Sequence, residues 1–313
     1  MINPDRIIES AHNEGFRQLV RLIESSRERR RTQRTVIEGI HLIDAFWSAS
    51  GKGAGISDAM VPMHALYVQT PTSHPEVQAM LARINQDSHH DPERQRPPII
   101  GLPSALFRRV SQVENGYGPL AIIDTPRPRL PDRLMGDALF VDRVQDPGNV
   151  GSILRTAAAA GIEQVLLAPS AAFCWAPKVL RAAMGAHFVL GIHEGVAWSA
   201  LDPSRAGELT LRALAAPGQE ASGDPGSGAP GHDGHGTSDL QQTDLRSPSL
   251  WICGHEGQGL APEILADARV QRLTLAQQPG VESLNVAAAV AVALFEQRRQ
   301  RRDALPRATP VSA

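Results

Sequence analysis

The chain has 313 residues, 42% of them hydrophobic and 20% charged, with a formal net charge of −2. That length favours two domains with ordinary cores, and the near-neutral balance supplies no global basic field for nucleic acid. The two cysteines, Cys174 and Cys253, lie far apart without ligand spacing, so no disulfide framework and no metal site are expected, and the expected compartment is reducing and cytoplasmic. Residues 1–6 lack the apolar core of a secretory signal, and the longest apolar run, Val286 to Phe295, is about half a bilayer span.

In chain order, the apolar spacing of Phe16, Leu19, Val20, Leu22 and Ile23 predicts a helix over Glu14 to Arg31. A short strand follows at Thr35 to Ile37, a helix at Ile40 to Trp47, a strand at Ala65 to Val68 and a helix at Glu76 to Ile84. Ile99-Ile100 opens another strand, Pro103 to Val110 is helical with proline in its first turn, and Leu120 to Ile123 is a strand. This alternation marks residues 1–124 as a small α/β domain. Residues 125–136, rich in Pro and Arg, are read as a linker.

The second region, 137–304, begins with the strand Ala138 to Asp142 and the alanine-rich helix Val150 to Ala160. A strand is predicted at Gln164 to Leu167, helices at Ala176 to Met184 and Trp198 to Leu214, and a strand at Leu250 to Cys253. A helix near Pro262, a strand over Val270 to Leu275 and a last helix from Leu284 to Arg302 complete it. Residues 216–249 are poor in hydrophobes and are expected to be a disordered insertion. His232 and His235 within it are too few to hold a metal. Residues 305–313 are a tail.

Three strand ends of this region lead into unusual loops. The first is Asp146-Pro147-Gly148-Asn149, followed by Arg155, a lone charge among alanines. The second is Gly254-His255-Glu256-Gly257-Gln258-Gly259-Leu260, and the third runs from Pro279 to Val286 with Glu282, Ser283, Leu284 and Asn285. Glycines let a backbone approach a ligand, and polar side chains at one sheet edge place chemistry there. The glycine order is not the G-x-G-x-x-G of dinucleotide-binding dehydrogenases. Ser283 or Asn285 is also suited to capping the last helix.

Taken together the loops resemble the SpoU/TrmH family of RNA ribose methyltransferases, part of the knotted SPOUT superfamily. Asp142, Val144, Asp146, Pro147, Asn149, Gly151, Ile153, Arg155, Thr156, Ala157 and Gly161 match its first motif. Gly254, Glu256, Gly259 and Leu260 match the second, and Glu282 to Val286 with Phe295-Glu296 match the third. The third motif usually begins I-P-M-x-G, whereas here Leu275-Ala276-Gln277-Gln278-Pro279 stands, and the 216–249 insertion is not general to the family. Asn13, the arginines from Arg27 to Arg34, Val36-Ile37-Glu38-Gly39 and Ser111 to Gly118 resemble the family's substrate-binding domain more loosely.

The resemblance implies an α/β fold: a SPOUT methyltransferase domain with a mostly parallel sheet and a trefoil knot, preceded by a small RNA-binding domain. It implies transfer of methyl from S-adenosyl-L-methionine to a ribose 2′-hydroxyl of RNA by a homodimer; ribosomal and transfer RNA both stay open, the N-terminal RNA-binding part favouring ribosomal RNA, and no metal or membrane is expected. Gly254, Gly259, Leu275, Leu284 and Asn285 would hold the cofactor, and Asn149, Arg155, Glu256, Ser283 and Asn285 would carry the chemistry. An arginine is too weakly acidic for an ordinary base; Arg155 would either deprotonate the hydroxyl in a strongly perturbed state or bind the adjacent phosphate bidentately and orient the ribose, and orientation is the favoured reading. Arg27, Arg29, Arg30, Arg31 and Arg34 would contact RNA phosphates. The small residues Ala287, Ala288, Ala291 and Val292 suit close helix packing, in the core or across a dimer interface. A non-catalytic RNA-binding protein keeping the knotted fold is the alternative, separated by a methyl-donor binding test.

Overall fold

A computed structural model of the chain describes residues 2–50, 61–71, 74–91, 93–113, 116, 118–215, 237–278 and 283–304. They divide into two compact units, one from Met1–Pro128 and Phe173–Gly191, the other from Arg129–Ala172 and Ile192–Ala313. Residues 216–236 with His232 and His235, the tail 305–313, and Pro279 to Glu282 lie outside the described residues.

The first unit begins β1 (Arg6–Ile7), α1 (Glu14–Glu24), α2 (Ser26–Thr32), β2 (Arg34–Glu38) and α3 (Ile40–Ala49). It continues β3 (Met63–Thr70), α4 (Pro75–His90), β4 (Ile99–Pro103), α5 (Ser104–Val110) and β5 (Leu120–Asp124). The sheet order is β1-β4-β3-β5-β2, with β5 antiparallel to both neighbours. Phe16, Leu19 and Leu22 of α1 bury against Val36, Tyr67 and Phe107. The single helix expected over 14–31 is broken at Ser25, which is extended and accepts the N–H of Glu28 (3.1 Å), starting a new helix. The apolar stripe ends at Ile23, so nothing holds the arginine-rich stretch in line with α1.

The chain continues β6 (Ala138–Val141), α6 (Pro147–Ala160), β7 (Gln164–Leu167), α7 (Pro177–Ala183), β8 (Gly191–Glu194) and α8 (Pro203–Ala206). Then come β9 (Thr210–Leu214), β10 (Ser238–Asp239), β11 (Ser249–Cys253), α9 (Pro262–Leu265), β12 (Val270–Thr274) and α10 (Val286–Ala304). The second sheet is ordered β10-β12-β9-β11-β6-β7-β8, and the pairs from β10 through β7 are all parallel. These strands therefore end on one edge. From β6 the chain builds outward to β7 and β8, while β9, β11 and β12 lie on the other side. The order reverses between β6 and β11, the place where open parallel sheets bind ligands.

Three expectations are corrected. The helix expected over Trp198 to Leu214 is a 3-10 turn, the short α8 and the strand β9. Gly207 at φ +60° ends α8, and Thr210 to Leu214 is then captured between β11 and β12, where pairing overrides helix propensity. Residues 237–249, expected in a disordered insertion, are ordered: β10 pairs with β12, Leu240 and Leu245 are fully buried, and Gln300 of α10 accepts the N–H of Leu245 (2.8 Å). Residues 173–191 belong to the first unit, although they were expected in the second domain. Thr35 donates to the carbonyl of Trp175 (2.7 Å), and Phe188 sits edge-on to Phe46, ring centres 5.4 Å apart. The division after Pro128 falls inside the segment read as a linker.

His187, in that same segment, is fully buried and donates from Nε2 to the carbonyl of Cys174 (2.8 Å). Burial pushes its pKa from 6.5 down to about 4, so it is neutral in the folded protein. Because the folded pKa lies below the unfolded one, this contribution to stability is complete above pH 6.5 and is lost as the pH falls from 6.5 to about 4. The loss amounts to about 3 kcal/mol. Urea unfolding across that range should show His187→Leu losing less stability than the parent chain; parallel curves would contradict it.

Candidate active site at the carboxyl edge of the second sheet

Short-range hydrogen bonds fix the described part of each expected loop. At the end of β6, Asp146 accepts the N–H of Asn149 (2.8 Å) and Pro147 occupies the first turn, so α6 starts at a defined point. After β11, His255 and Gly259 exchange two backbone hydrogen bonds (2.9 and 2.8 Å), closing residues 254–259 into a tight loop. The His255 ring nitrogen Nδ1 accepts the N–H groups of Gly257 and Gln258 (2.9 and 3.2 Å). Glycine is required at 254, because a Cβ there would lie 2.6 Å from the carbonyl of Gly259. Before α10, Asn285 Oδ1 accepts the N–H groups of Ala287 and Ala288 (3.0 and 3.3 Å).

The loops join through one line of side chains. Asn285 Nδ2 donates to Asn149 Oδ1 (2.9 Å), and Asn149 Nδ2 donates to Glu256 Oε1 (2.9 Å). Partial burial raises the Glu256 pKa, but the Asn149 amide and the N–H groups of Glu256, Asp146 and Gln145 outweigh it and leave the pKa lowered. Glu256 is therefore an ionised carboxylate at neutral pH, with its oxygens held by donors from two loops.

A clamp missed at the sequence level lies beneath this line. Asp142 is buried and accepts the N–H of Ala261 (2.8 Å) and the Nε of Arg143 (3.2 Å). Arg143, in the left-handed region at φ +56°, also reaches Gln258 Oε1 (3.2 Å) and the Gly259 carbonyl (3.3 Å). The pair ties the end of β6 to the C-terminal end of the glycine loop. Asp142 was legible as a motif match, whereas a positive φ at an arginine carries no sequence signal. Farther back, Gln297 of α10 accepts from the Trp251 indole (2.8 Å) and donates to Ser249 Oγ (2.8 Å), locking α10, and hence Asn285, onto β11.

A cavity of about 460 Å³ opens beside the line, within the ordinary size of a small-molecule site. Leu214, Ala215, Leu273 and Leu275 give it an apolar lining, and the 254–259 loop with Glu256 gives it a polar one. Gly254, Gly259, Leu275 and Leu284 line it, as does Ser283. Asn149 and Asn285 are not among the lining residues, although Leu284 and Val286 on either side of Asn285 are. Gln277 also lines it, and its Oε1 is buried with no hydrogen-bond partner among the described residues. Among the described residues no group of acidic, histidine or cysteine side chains could hold a metal ion, and no helix is long and apolar enough to cross a membrane.

Arg155 stands apart. It is exposed, does not line the cavity, and forms no hydrogen bond or ion pair with a described residue. Six residues beyond Asn149 on α6, it lies about 9 Å along the axis and about 240° around it. In the first unit the arginine cluster is also divided. Arg29 is buried and donates to the carbonyls of Leu22 and Ile23 (2.7 and 2.9 Å), capping the end of α1, so its expected role in contacting phosphate is withdrawn. Arg31 pairs with Glu28 (2.6 Å) and Arg34 with Asp124 (3.3 Å), while Arg27 is exposed and Arg30 lies over the Phe173 ring (4.4 Å).

Residues 138–295 match the model of the SpoU rRNA Methylase family. An uncharacterized tRNA/rRNA methyltransferase of Synechocystis is 36% identical over 165 residues, 52% of this chain and 53% of its own. The human mitochondrial rRNA methyltransferase 3 is 34% identical over 196 residues, covering 52% of this chain and 47% of its own. The chain thus spans about half the length of these relatives. The 23S rRNA (guanosine(2553)-2'-O)-methyltransferase RlmP of Bacillus subtilis is 28% identical over 93% of this chain and 98% of its own. Among solved structures, an AdoMet-bound rRNA methyltransferase from Sinorhizobium meliloti shares the fold, with TM-score 0.71 and 22% identity over 94% of this chain and 98% of its own.

Proposed function

Because the chain belongs to the SpoU rRNA methylase family, we propose that it transfers a methyl group from S-adenosylmethionine to a ribose 2′-hydroxyl of RNA, ribosomal RNA being the substrate class. The observation that carries the reading is the Asn285–Asn149–Glu256 line, which joins the three matching loops beside a cavity lined by the second and third of them. Similarity over nearly its whole length to a 23S rRNA 2′-O-methyltransferase favours ribosomal RNA.

The cavity suits the cofactor. Its apolar lining matches a flat base, the loop at 254–259 brings backbone close to it, and Glu256 adds negative charge. S-adenosylmethionine, when bound there, supplies a methyl group activated by its sulfonium. Gly254, Gly259, Leu275 and Leu284 hold it, and Ser283 and Glu256 set the rim where the ribose arrives. Asn149 and Asn285 keep the Glu256 carboxylate fixed rather than touching the reacting atoms. Arg155 grips the phosphate beside the target ribose through both guanidinium nitrogens and so aligns the hydroxyl.

The placement of Arg155 away from its own cavity supports a homodimer in which each Arg155 serves the partner's site. Val292 and Phe295 of α10 are 42% and 47% exposed, and α10 packs on α6, so one face presents apolar surface near Arg155. The insertion of β11 between β9 and β6 supports the family's trefoil knot. The relation to a bacterial rRNA enzyme favours the cytoplasm as its compartment.

RNA incubated with methyl-labelled donor should gain label with the parent chain and lose it with Glu256→Gln; equal labelling would refute the site. Arg27 and Arg30, the exposed members of the cluster with no carboxylate partner among the described residues, contribute phosphate contacts. Replacing both with Gln should weaken RNA binding and flatten its salt dependence by about 1.5 in log–log slope. Arg29→Ala should instead destabilise the first unit and leave the slope unchanged.

A further inference from the structure

One polar atom in the cavity is unexplained by the family pattern. Where the third motif usually carries methionine, this chain has Gln277, and its Oε1 is buried without a partner among the described residues. A buried amide oxygen left unpaired costs free energy unless a ligand supplies a donor. Leu273, Leu275 and Gln277 all line the cavity. They alternate in the chain with the less buried Thr274 and the exposed Ala276 and Gln278, the period of two expected when side chains share one side of the backbone. Gln277 thus follows Leu273 and Leu275 in the chain segment that, with Leu214 and Ala215, gives the cavity its apolar lining.

A flat base belongs against that apolar lining, leaving the reacting end of the cofactor toward Glu256. Along the edge of an adenine, a 6-amino donor stands beside a ring-nitrogen acceptor, a pair that a carboxamide matches bidentately. We infer that the Gln277 side chain recognises the adenine of the methyl donor, Oε1 accepting from the 6-amino group and Nε2 donating to a ring nitrogen. Gln277 is thereby a specificity-determining residue that the usual motif lacks. The inference rests on the cofactor assignment above.

Titration calorimetry with S-adenosylhomocysteine and with its analogue lacking the 6-amino group tests it without any RNA. The parent chain should prefer S-adenosylhomocysteine by about tenfold or more. Gln277→Met should lose that preference by weakening S-adenosylhomocysteine alone, with binding of the analogue and the thermal midpoint unchanged, and Gln277→Leu should repeat the result. A parent chain that does not distinguish the two ligands would overturn the inference, as would variants that weaken both equally or neither. A parent chain that binds neither ligand would overturn the cofactor assignment and the inference with it.

Discussion

Replacing Arg155 with Ala is expected to reduce methyl transfer by about a hundredfold or more, since misplacing a reacting group by about 1 Å costs that much. Binding of S-adenosylhomocysteine should be unchanged, because Arg155 does not line the cavity. Near-normal turnover would remove Arg155 from the account, and lost cofactor binding would assign it another role. Its separation from Asn149 on α6 adds a sharper result. Arg155→Ala and Glu256→Gln should each be nearly inactive alone, and in the proposed homodimer a mixed pair carries one site with neither change if Arg155 acts across the interface. An equimolar mixture should then recover about a quarter of the parent activity. If Arg155 acts within its own subunit, every site carries a change and the mixture stays inactive.

Asp142→Ala should destabilise the second unit by about 3 kcal/mol, because it leaves the N–H of Ala261 unpaired and the Arg143 guanidinium without its carboxylate in a largely buried place. The same change frees Gly259 and Gln258 from their tie to β6, so S-adenosylhomocysteine affinity should fall with stability. Urea unfolding of Asp142→Ala, Arg143→Ala and the double variant measures the clamp. The double variant should cost clearly less than the sum of the two, and strict additivity would show that the pair does not act as a unit.

The three loops of this site were legible because they are short and their residue types are constrained by the local backbone. Asp146 and Pro147 announce a helix start, Gly254 has no room for a Cβ, and Asn285 caps α10, so each leaves a trace in the sequence. The hydrogen bonds joining Asn285, Asn149 and Glu256 connect residues more than a hundred positions apart and required the fold. The same limit hid the capture of Thr210 to Leu214 between two distant strands and the anchoring of Leu240 and Leu245 by an otherwise polar segment. Arginine number misled at Arg29, since a cationic side chain whose stem is covered can cap a helix as well as meet a phosphate. Gln277 was visible as a departure from the motif, but only its buried, unpartnered oxygen gives the departure a meaning.

The central claim is that the methyl group goes to a ribose hydroxyl of RNA. Ribosomal RNA from cells lacking this chain can be labelled by the purified protein with methyl-labelled S-adenosylmethionine and then digested with alkali, which needs a free 2′-hydroxyl to cut. Label recovered in alkali-resistant dinucleotides is the predicted result. Label released in mononucleotides would place the methyl on a base and contradict the account, as would the absence of any label in RNA.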